Sequence, residues 1–556
     1  MMAMLPKTVA TLLRDRAETT PDGDAIRFQR GSDWETWTWA EYWERARRAA
    51  SGLLAAGVRP GDRILVLVPD VDFAVATLFG AWLLGVTPTP IGVPYRLSDV
   101  ARFLDGLRET ARKLHARALV TTRTFAAFAG DNEDLPVLIA EQVTAANVAD
   151  DLPDPSDAAG PALVQLTSGS TGSPRGVVLA HDRLVDHLDS MSHALPSHAQ
   201  SVAVSWLPLH HDMGLIGGLL FPFYNGFVAN MISPADFRSR PMSWLEAMSR
   251  HRGTICAAPP SAYALVQRLA RRAAEAGLRF DAWECAMIGA EPISAGLLRR
   301  FSEAFAPMGF RAEAFFPVYG LAEATVAVTF PKLLAPTRVD VIDRAALERD
   351  GVAVPPAPGA AALELVGVGA PIPRTETKIV GDDGALLPER RIGEILVAAP
   401  SLMCGYDDDA EATARAFEGR FLRTGDLGYV DGDSLFITGR RKELIIKGGH
   451  NLIPSVIEDI ASEVEGVRAG CVAAVGVRSP EDETELCHVV AETKADEGEH
   501  AMIAARVREA LKAQGVAVDA VRLVPPGALP KTTSGKLRRR LLADAIAAGR
   551  SLAELS

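Results

Sequence analysis

Ala162-Leu-Val-Gln-Leu166 runs directly into Thr167-Ser-Gly-Ser-Thr-Gly-Ser-Pro-Arg-Gly176. An apolar run that ends in glycines and hydroxyls reads as a buried strand delivering a concave loop. The glycines keep the backbone free of Cβ atoms, and the hydroxyls add donors to the backbone N–H groups. Such a loop can wrap a polyphosphate. It is not a Walker loop, because G-x-x-x-x-G-K-[ST] is absent. A plain hairpin or linker is the competing reading, since Gly/Ser clusters often mean only that.

On the N-terminal side the chain alternates. Trp39 to Ala56 is helical in pattern, Asp62 to Pro69 reads as a buried strand, Phe73 to Val86 as a helix and Ala118 to Thr121 as another strand. The cycle recurs at Val202–Leu207, Gly253–Ala257 and Cys285–Ile288. The expected fold class is therefore α/β, with parallel sheets covered by helices. Residues 331–375 are rich in Pro, Ala and Gly and read as loops and short strands. Strand-like pieces at Thr377–Val380 and Glu394–Val397 then suggest a β subdomain. A smaller α/β unit follows, with a helix near Val456–Glu465, a strand Cys471–Val477 and a helix near Met502–Gln514. The expected division is a large domain over residues 1–438 and a small C-terminal domain over 439–556.

Composition narrows the function classes. At 556 residues, the chain exceeds one ordinary core. A hydrophobic fraction of 48% with 23% charged residues is that of a globular protein. The net charge of −12 argues against nucleic-acid binding, which needs a basic footprint. The five cysteines are scattered, so neither a disulfide framework nor a C-x-x-C metal site is expected, and the cytoplasm is the natural compartment. Arg14, Asp15, Arg16 and Glu18 interrupt any signal-like apolar stretch. The Phe73–Val86 run, at 14 residues, falls short of the ~20 needed for a membrane span.

Further segments acquire meaning from their order: Gly289-Ala-Glu-Pro292, Tyr319-Gly-Leu-Ala-Glu323, Arg423-Thr-Gly-Asp426, Gly439-Arg-Arg-Lys442 and Pro530-Lys-Thr-Thr-Ser-Gly-Lys536. With the Thr167–Gly176 loop they resemble, along the whole chain, the adenylate-forming superfamily of acyl-CoA synthetases, peptide-synthetase adenylation domains and luciferases. The resemblance implies ATP and Mg²⁺ as cofactors and a mobile C-terminal lid. It assigns Thr167, Ser168, Gly169, Ser170, Thr171, Gly172 and Arg175 to the phosphates. Gly289, Ala290, Glu291 and Pro292 fall to adenine. Tyr319 would stack its ring on adenine, Gly320, Leu321 and Ala322 extend the nucleotide site, Asp426 would accept from the ribose hydroxyls, and Arg440 joins the cofactor-binding residues. Glu323 would hold the metal, Lys442 would be the hinge, and Lys536, Glu323 and Thr167 would be catalytic.

The chemistry explains these residue types. A carboxylate attacking the α-phosphorus of ATP is anion meeting anion, so charge must be neutralised as it develops. Lys536, on a glycine-flexed loop, can approach both; its bland alternative is a solvated lysine in a basic tail. Glu323 offers the hard oxygen that Mg²⁺ prefers. Two departures stand out: Arg175 replaces the usual Lys, keeping the sign but changing the geometry, and Ala322 replaces the usual Thr.

Several stretches are similar to one branch, the fatty acyl-AMP ligases, which pass acyl groups to an acyl carrier protein. Trp206-Leu-Pro-Leu-His-His-Asp-Met-Gly-Leu-Ile-Gly217 and Gly320-Leu-Ala-Glu-Ala-Thr325 match that branch, as does Gly449-His-Asn-Leu-Ile-Pro454 followed by Ile457-Glu458. Val339–Leu347 through Glu364–Val366 resembles its extra segment. Ile446 lies where thioester-forming relatives can carry a lysine. The resemblance sets His211 and Met213 beside the acyl carboxylate and ATP; otherwise His211 is a helix- or strand-end histidine satisfied by backbone. The alternative is an acyl- or aryl-CoA synthetase using coenzyme A, and a third is a non-catalytic scaffold with the same fold. His210-His211-Asp212 is not expected to be a metal site, because adjacent side chains on an extended segment diverge.

Overall fold

The computed structural model describes residues 8–93, 100–129, 135–157, 160–167, 175–198, 200–447, 450–468, 470–478, 484–531 and 537–550. The α/β class is as expected. Short β-branched runs make the strands, and Ala- and Leu-rich amphipathic stretches make the helices that cover them.

A seven-stranded sheet runs Phe315–Pro317, Cys285–Ile288, Ile255–Ala258, Val202–Ser205, Val228–Met231, Asp24–Arg30 and Asp33–Thr38. Its pairings are parallel except the last, a hairpin. A four-stranded parallel sheet orders Thr87–Pro90, Arg63–Leu67, Ala118–Thr121 and Val137–Ile139. Helix Trp39–Ala55 packs on helix Val71–Leu83, where Gly80 permits close approach: a Cβ there would sit 2.5 Å from that of Ala49. Helix Val71–Leu83 is apolar all round because it is buried all round.

An antiparallel sheet of Glu376–Val380, Gly393–Ala398, Phe421–Asp431, Phe417–Glu418 and Ser434–Arg440 forms the β subdomain. Beyond it, Val472–Arg478, Glu485–Glu492 and Ala520–Val524 form a small sheet covered by helices Pro454–Ser462, Glu497–Ala513 and Arg539–Ala547. Two apolar clusters belong to this C-terminal unit alone, one around Ile457, Val489 and Val507 and one around Val475, Val490 and Leu542.

The segment expected as loops and short strands is more ordered than its composition suggests. Val339–Asp343 and Ala362–Val366 pair as an antiparallel hairpin, and helix Arg344–Asp350 lies between them. The helix was missed because only seven residues form it. Its start is nevertheless signalled: Asp343 accepts from the Ala346 N–H, an N-cap, and Gly351 ends the helix at a φ of 65°. Ile342 and Leu347 of this segment are buried with Tyr429 and Phe436 of the β subdomain and with Ile453 of the C-terminal unit.

Candidate functional site

Strands Pro161–Thr167 and Arg175–Ala180 form a hairpin in which Thr167 stands opposite Arg175. The base of the glycine-rich loop is therefore closed, and Thr167 Oγ1 donates to the Arg175 carbonyl at 3.5 Å. Ser168, Gly169, Ser170, Thr171 and Gly172 lie outside the described residues, as does Lys536. A third strand, Gly405–Tyr406, pairs with the hairpin and sets Tyr406 opposite Val177. The Arg175 guanidinium lies 5.3 Å from the Tyr406 ring centroid, a cation–π contact. Tyr406 Oη donates to Glu323 Oε1 at 2.9 Å. Burial, and then the Glu323 charge, raise the Tyr406 pKa, so the phenol stays a donor. Sequence reading missed Tyr406. Its only signal is one aromatic ahead of the acidic run Asp407-Asp-Asp409.

Strand Phe315–Pro317 lies parallel to Cys285–Ile288, so Gly289–Pro292 and Tyr319–Glu323 leave neighbouring strand ends on the same side. Two glycines permit the crowding. A Cβ on Gly289 would stand 2.7 Å from the Val318 carbonyl, and one on Gly320 would stand 1.6 Å from that of Val326. Ala290 sits at a φ of 67°. The Glu291 carboxylate accepts from the Ser261 N–H and Oγ, each at 3.0 Å, in the first turn of helix Pro260–Gln267.

Asp426, 4% exposed, collects the next contacts. Tyr319 Oη donates to its Oδ2 at 2.7 Å and Arg440 Nε to its Oδ1 at 2.8 Å. Asp426 and Arg440 are register partners on adjacent strands. Burial, and then the Asp426 charge, push the Tyr319 pKa up, so this phenol too remains protonated. A carboxylate has about four lone-pair sites, so Asp426 keeps capacity for hydroxyl donors. Hairpin, Arg175, Tyr406, Glu323, Tyr319, Asp426 and Arg440 thus form one unbroken chain of contacts and backbone links.

His211 and Asp212 depart from the expected divergence. The segment is a turn instead of an extended strand, and His211 Nδ1 lies 2.8 Å from Asp212 Oδ1. The same oxygen accepts from the Met213 N–H at 2.7 Å and opens a wide, π-type helical stretch, Met213–Leu220. Such stretches are rare and occur frequently at functional sites. Gly214 and Gly218 are needed there, because Cβ atoms would stand 2.2 Å from the Pro208 carbonyl and 2.5 Å from Ser205 Oγ. Gln165 ties this segment to the hairpin, its Nε2 donating to the His210 carbonyl at 2.7 Å. Burial, and then His211, lower the His210 pKa to about 4.

Among the described residues no group of three or more His, Cys, Asp or Glu could hold a metal ion. Mg²⁺ needs no such cage when one or two carboxylates act with phosphate oxygens and water. Glu323, fixed through one oxygen by Tyr406, fits that donor set.

Past Arg440 the chain makes a short turn, Arg441–Glu443, and Lys442 is exposed. Glu443 accepts from Arg539 Nη1 at 2.7 Å, while Arg539 also grips Glu458 through Nε at 2.9 Å and Nη2 at 2.8 Å. The base of the Pro530–Lys536 loop is closed as well. Lys531 pairs with Leu537, and the Arg538 N–H donates to the Pro530 carbonyl at 2.9 Å.

The AMP-binding enzyme family model matches residues 13–407. A Caulobacter vibrioides protein with a provisional acyl-CoA synthetase name is 34% identical over 96% of this chain and 94% of that protein. The long-chain-fatty-acid–AMP ligase FadD26 of Mycobacterium marinum is 33% identical over 97% of each. A solved structure from work on fatty acyl-adenylate ligases of E. coli and L. pneumophila superposes with a TM-score of 0.90 at 31% identity, covering 97% of this chain and 98% of that one.

Proposed function

Because the chain belongs to the AMP-binding enzyme family, we propose that it activates a fatty or other lipophilic acid with ATP and passes the acyl group to the phosphopantetheine thiol of an acyl carrier protein. In the first step a carboxylate oxygen attacks the α-phosphorus, and the bond to the β-phosphate oxygen breaks. Acyl-AMP forms and pyrophosphate leaves. In the second, the thiol sulfur bonds to the acyl carbon, AMP departs with the bonding pair, and the thiol proton is lost.

The observation that carries this reading is the set of contacts Arg175–Tyr406–Glu323 and Tyr319–Asp426–Arg440, joined through the backbone segment Tyr319–Glu323. It supplies cations, a hard oxygen and a ribose acceptor in the order a nucleotide presents phosphate, metal and sugar. Mg²⁺ held by Glu323 would screen the phosphate charge. Arg175 and Thr167 would hold phosphate oxygens, and Gly289–Pro292 the adenine through backbone groups. His211 and Met213 would flank the carboxylate. The likeness to ligases named for fatty acids supports the substrate class. Among the described residues no helix is long and apolar enough to cross a membrane.

A pyrophosphate-release assay over a panel of acids tests the proposal, run with coenzyme A, with phosphopantetheinyl carrier protein and with neither. Fatty acids should release pyrophosphate, and carrier protein should be the acylated acceptor. Release with no acid in the panel would reject it.

The lid, on this reading, is the unit over residues 439–556 and turns at Lys442, presenting Lys536 for the first step and withdrawing it for the second. A hinge residue must change its backbone angles widely, and proline cannot. Lys442→Pro should therefore keep one half-reaction near the wild-type rate and slow the other about tenfold or more, the equivalent of ~1.4 kcal/mol. Pyrophosphate exchange measures adenylation, and single-turnover transfer from isolated acyl-AMP measures the second step. Equal retention of both would remove Lys442 from the hinge.

A further inference from the structure

Helix His181–Ala194 follows the hairpin, and its residues Arg183 and His187, four apart, share one face. His187 is 1% exposed. Its Nε2 accepts from the Ala327 N–H at 3.1 Å, so the ring proton sits on Nδ1, 3.0 Å from Ser401 Oγ, and donates there. The Ser401 carbonyl accepts from Thr325 Oγ1 at 2.5 Å. Arg183 Nη1 donates to the Leu402 and Met403 carbonyls, and the Met403 N–H donates to the Glu323 carbonyl at 2.8 Å.

These bonds enclose a strained piece of chain. Thr325, two residues after Glu323, is fully buried at a φ of 69° and ψ of −63°. That region is costly for a β-branched residue and persists only where the surroundings impose it. Here the imposing groups are Ser401 and, through it, His187. Burial, and then Arg374, hold the His187 pKa down to about 3, so the ring keeps one donor and one acceptor.

We infer that His187 is a positioning residue which, by bridging Ala327 and Ser401, locks the strained turn after Glu323 and so fixes the carboxylate that receives Mg²⁺. This rests on the reading of Glu323 as the metal ligand. The ring itself touches neither metal nor nucleotide. Its action is to join the helix after the phosphate hairpin to the two segments that present Glu323 and Tyr406.

Calorimetric titration of ATP into the full-length protein without acid tests this, once in excess Mg²⁺ and once in EDTA. His187→Leu removes donor and acceptor and leaves the Ala327 N–H unpaired, so it should weaken binding in Mg²⁺ roughly tenfold while leaving binding in EDTA unchanged. His187→Gln, which keeps one donor and one acceptor, should recover most of the loss. Amide exchange in the peptide covering residues 323–330 should speed up in the leucine variant alone. Thr325→Val, nearly isosteric and lacking only the bond to Ser401, should act in the same direction and serves if His187→Leu fails to fold. Wild-type Mg²⁺ dependence in either folded variant would overturn the inference, provided Glu323→Gln abolishes that dependence. If Glu323→Gln also leaves it intact, the metal assignment falls first and the inference with it.

Discussion

Lys536→Ala should lower acyl-adenylate formation by ~10²–10³-fold while ATP still binds, because a cation aimed at developing charge contributes ~3–4 kcal/mol in the transition state and little in the ground state. The residue lies outside the described residues, but both ends of its loop are held. Lys531 pairs with Leu537, the Arg538 N–H closes on Pro530, and Arg539 is fastened to Glu443, next to the proposed hinge Lys442, and to Glu458. A rotation at Lys442 would therefore carry the loop with it as part of a firm unit. Initial-rate pyrophosphate release, paired with nucleotide binding by calorimetry, separates the two contributions. Near-wild-type release would remove Lys536 as the principal catalytic cation. Loss of ATP binding equal to the loss of rate would reduce it to a ground-state contact.

The second large effect concerns the acceptor. Given ATP, Mg²⁺ and a suitable fatty acid, the protein should accumulate acyl-AMP, acylate carrier protein and make little acyl-CoA. Removing the insertion between Val339 and Val366 should raise acyl-CoA formation about tenfold or more. Ile342 and Leu347 of the insertion are buried against Tyr429 and Phe436 on one side and Ile453 of the C-terminal unit on the other. Burial of one such aliphatic side chain is worth ~1.5–3 kcal/mol. If residues 439–556 move as a lid, losing even one shared contact would shift its docked population by an order of magnitude. Arg344 adds a polar tie, donating to the Gln514 carbonyl at the end of helix Glu497–Ala513. Ile446, 55% exposed, offers no charge to a coenzyme A phosphate. Efficient acyl-CoA synthesis by the intact chain would favour the synthetase alternative.

Much of the architecture was legible in the chain because period and composition report burial directly. The parallel strands were visible as short apolar runs, and the stretches Trp39–Ala56 and Phe73–Val86, read as helices, form helices Trp39–Ala55 and Val71–Leu83. Helix Arg344–Asp350 was not, since two turns in a Pro/Ala/Gly-rich context give no periodic signal. Residues of the candidate site were named by local pattern where the pattern is contiguous, as at Tyr319–Glu323. Tyr406 and His187 were missed because their partners, Glu323 and Ala327, lie 83 and 140 positions away. Only the folded register brings them together. Glu291 shows the converse: the motif located it, yet its carboxylate is engaged by Ser261.

The apolar cluster shared by Ile342, Leu347, Tyr429, Phe436 and Ile453 also bears on how the molecule comes apart. The C-terminal unit owns two cores of its own and has the makings of an independent folding unit. Joined through the insertion, it should melt with the rest in a single calorimetric endotherm. Cutting the insertion away should split that endotherm, with the smaller unit unfolding separately. The segment proposed to favour one acyl acceptor would then also be the segment that makes two folding units lose their structure as one.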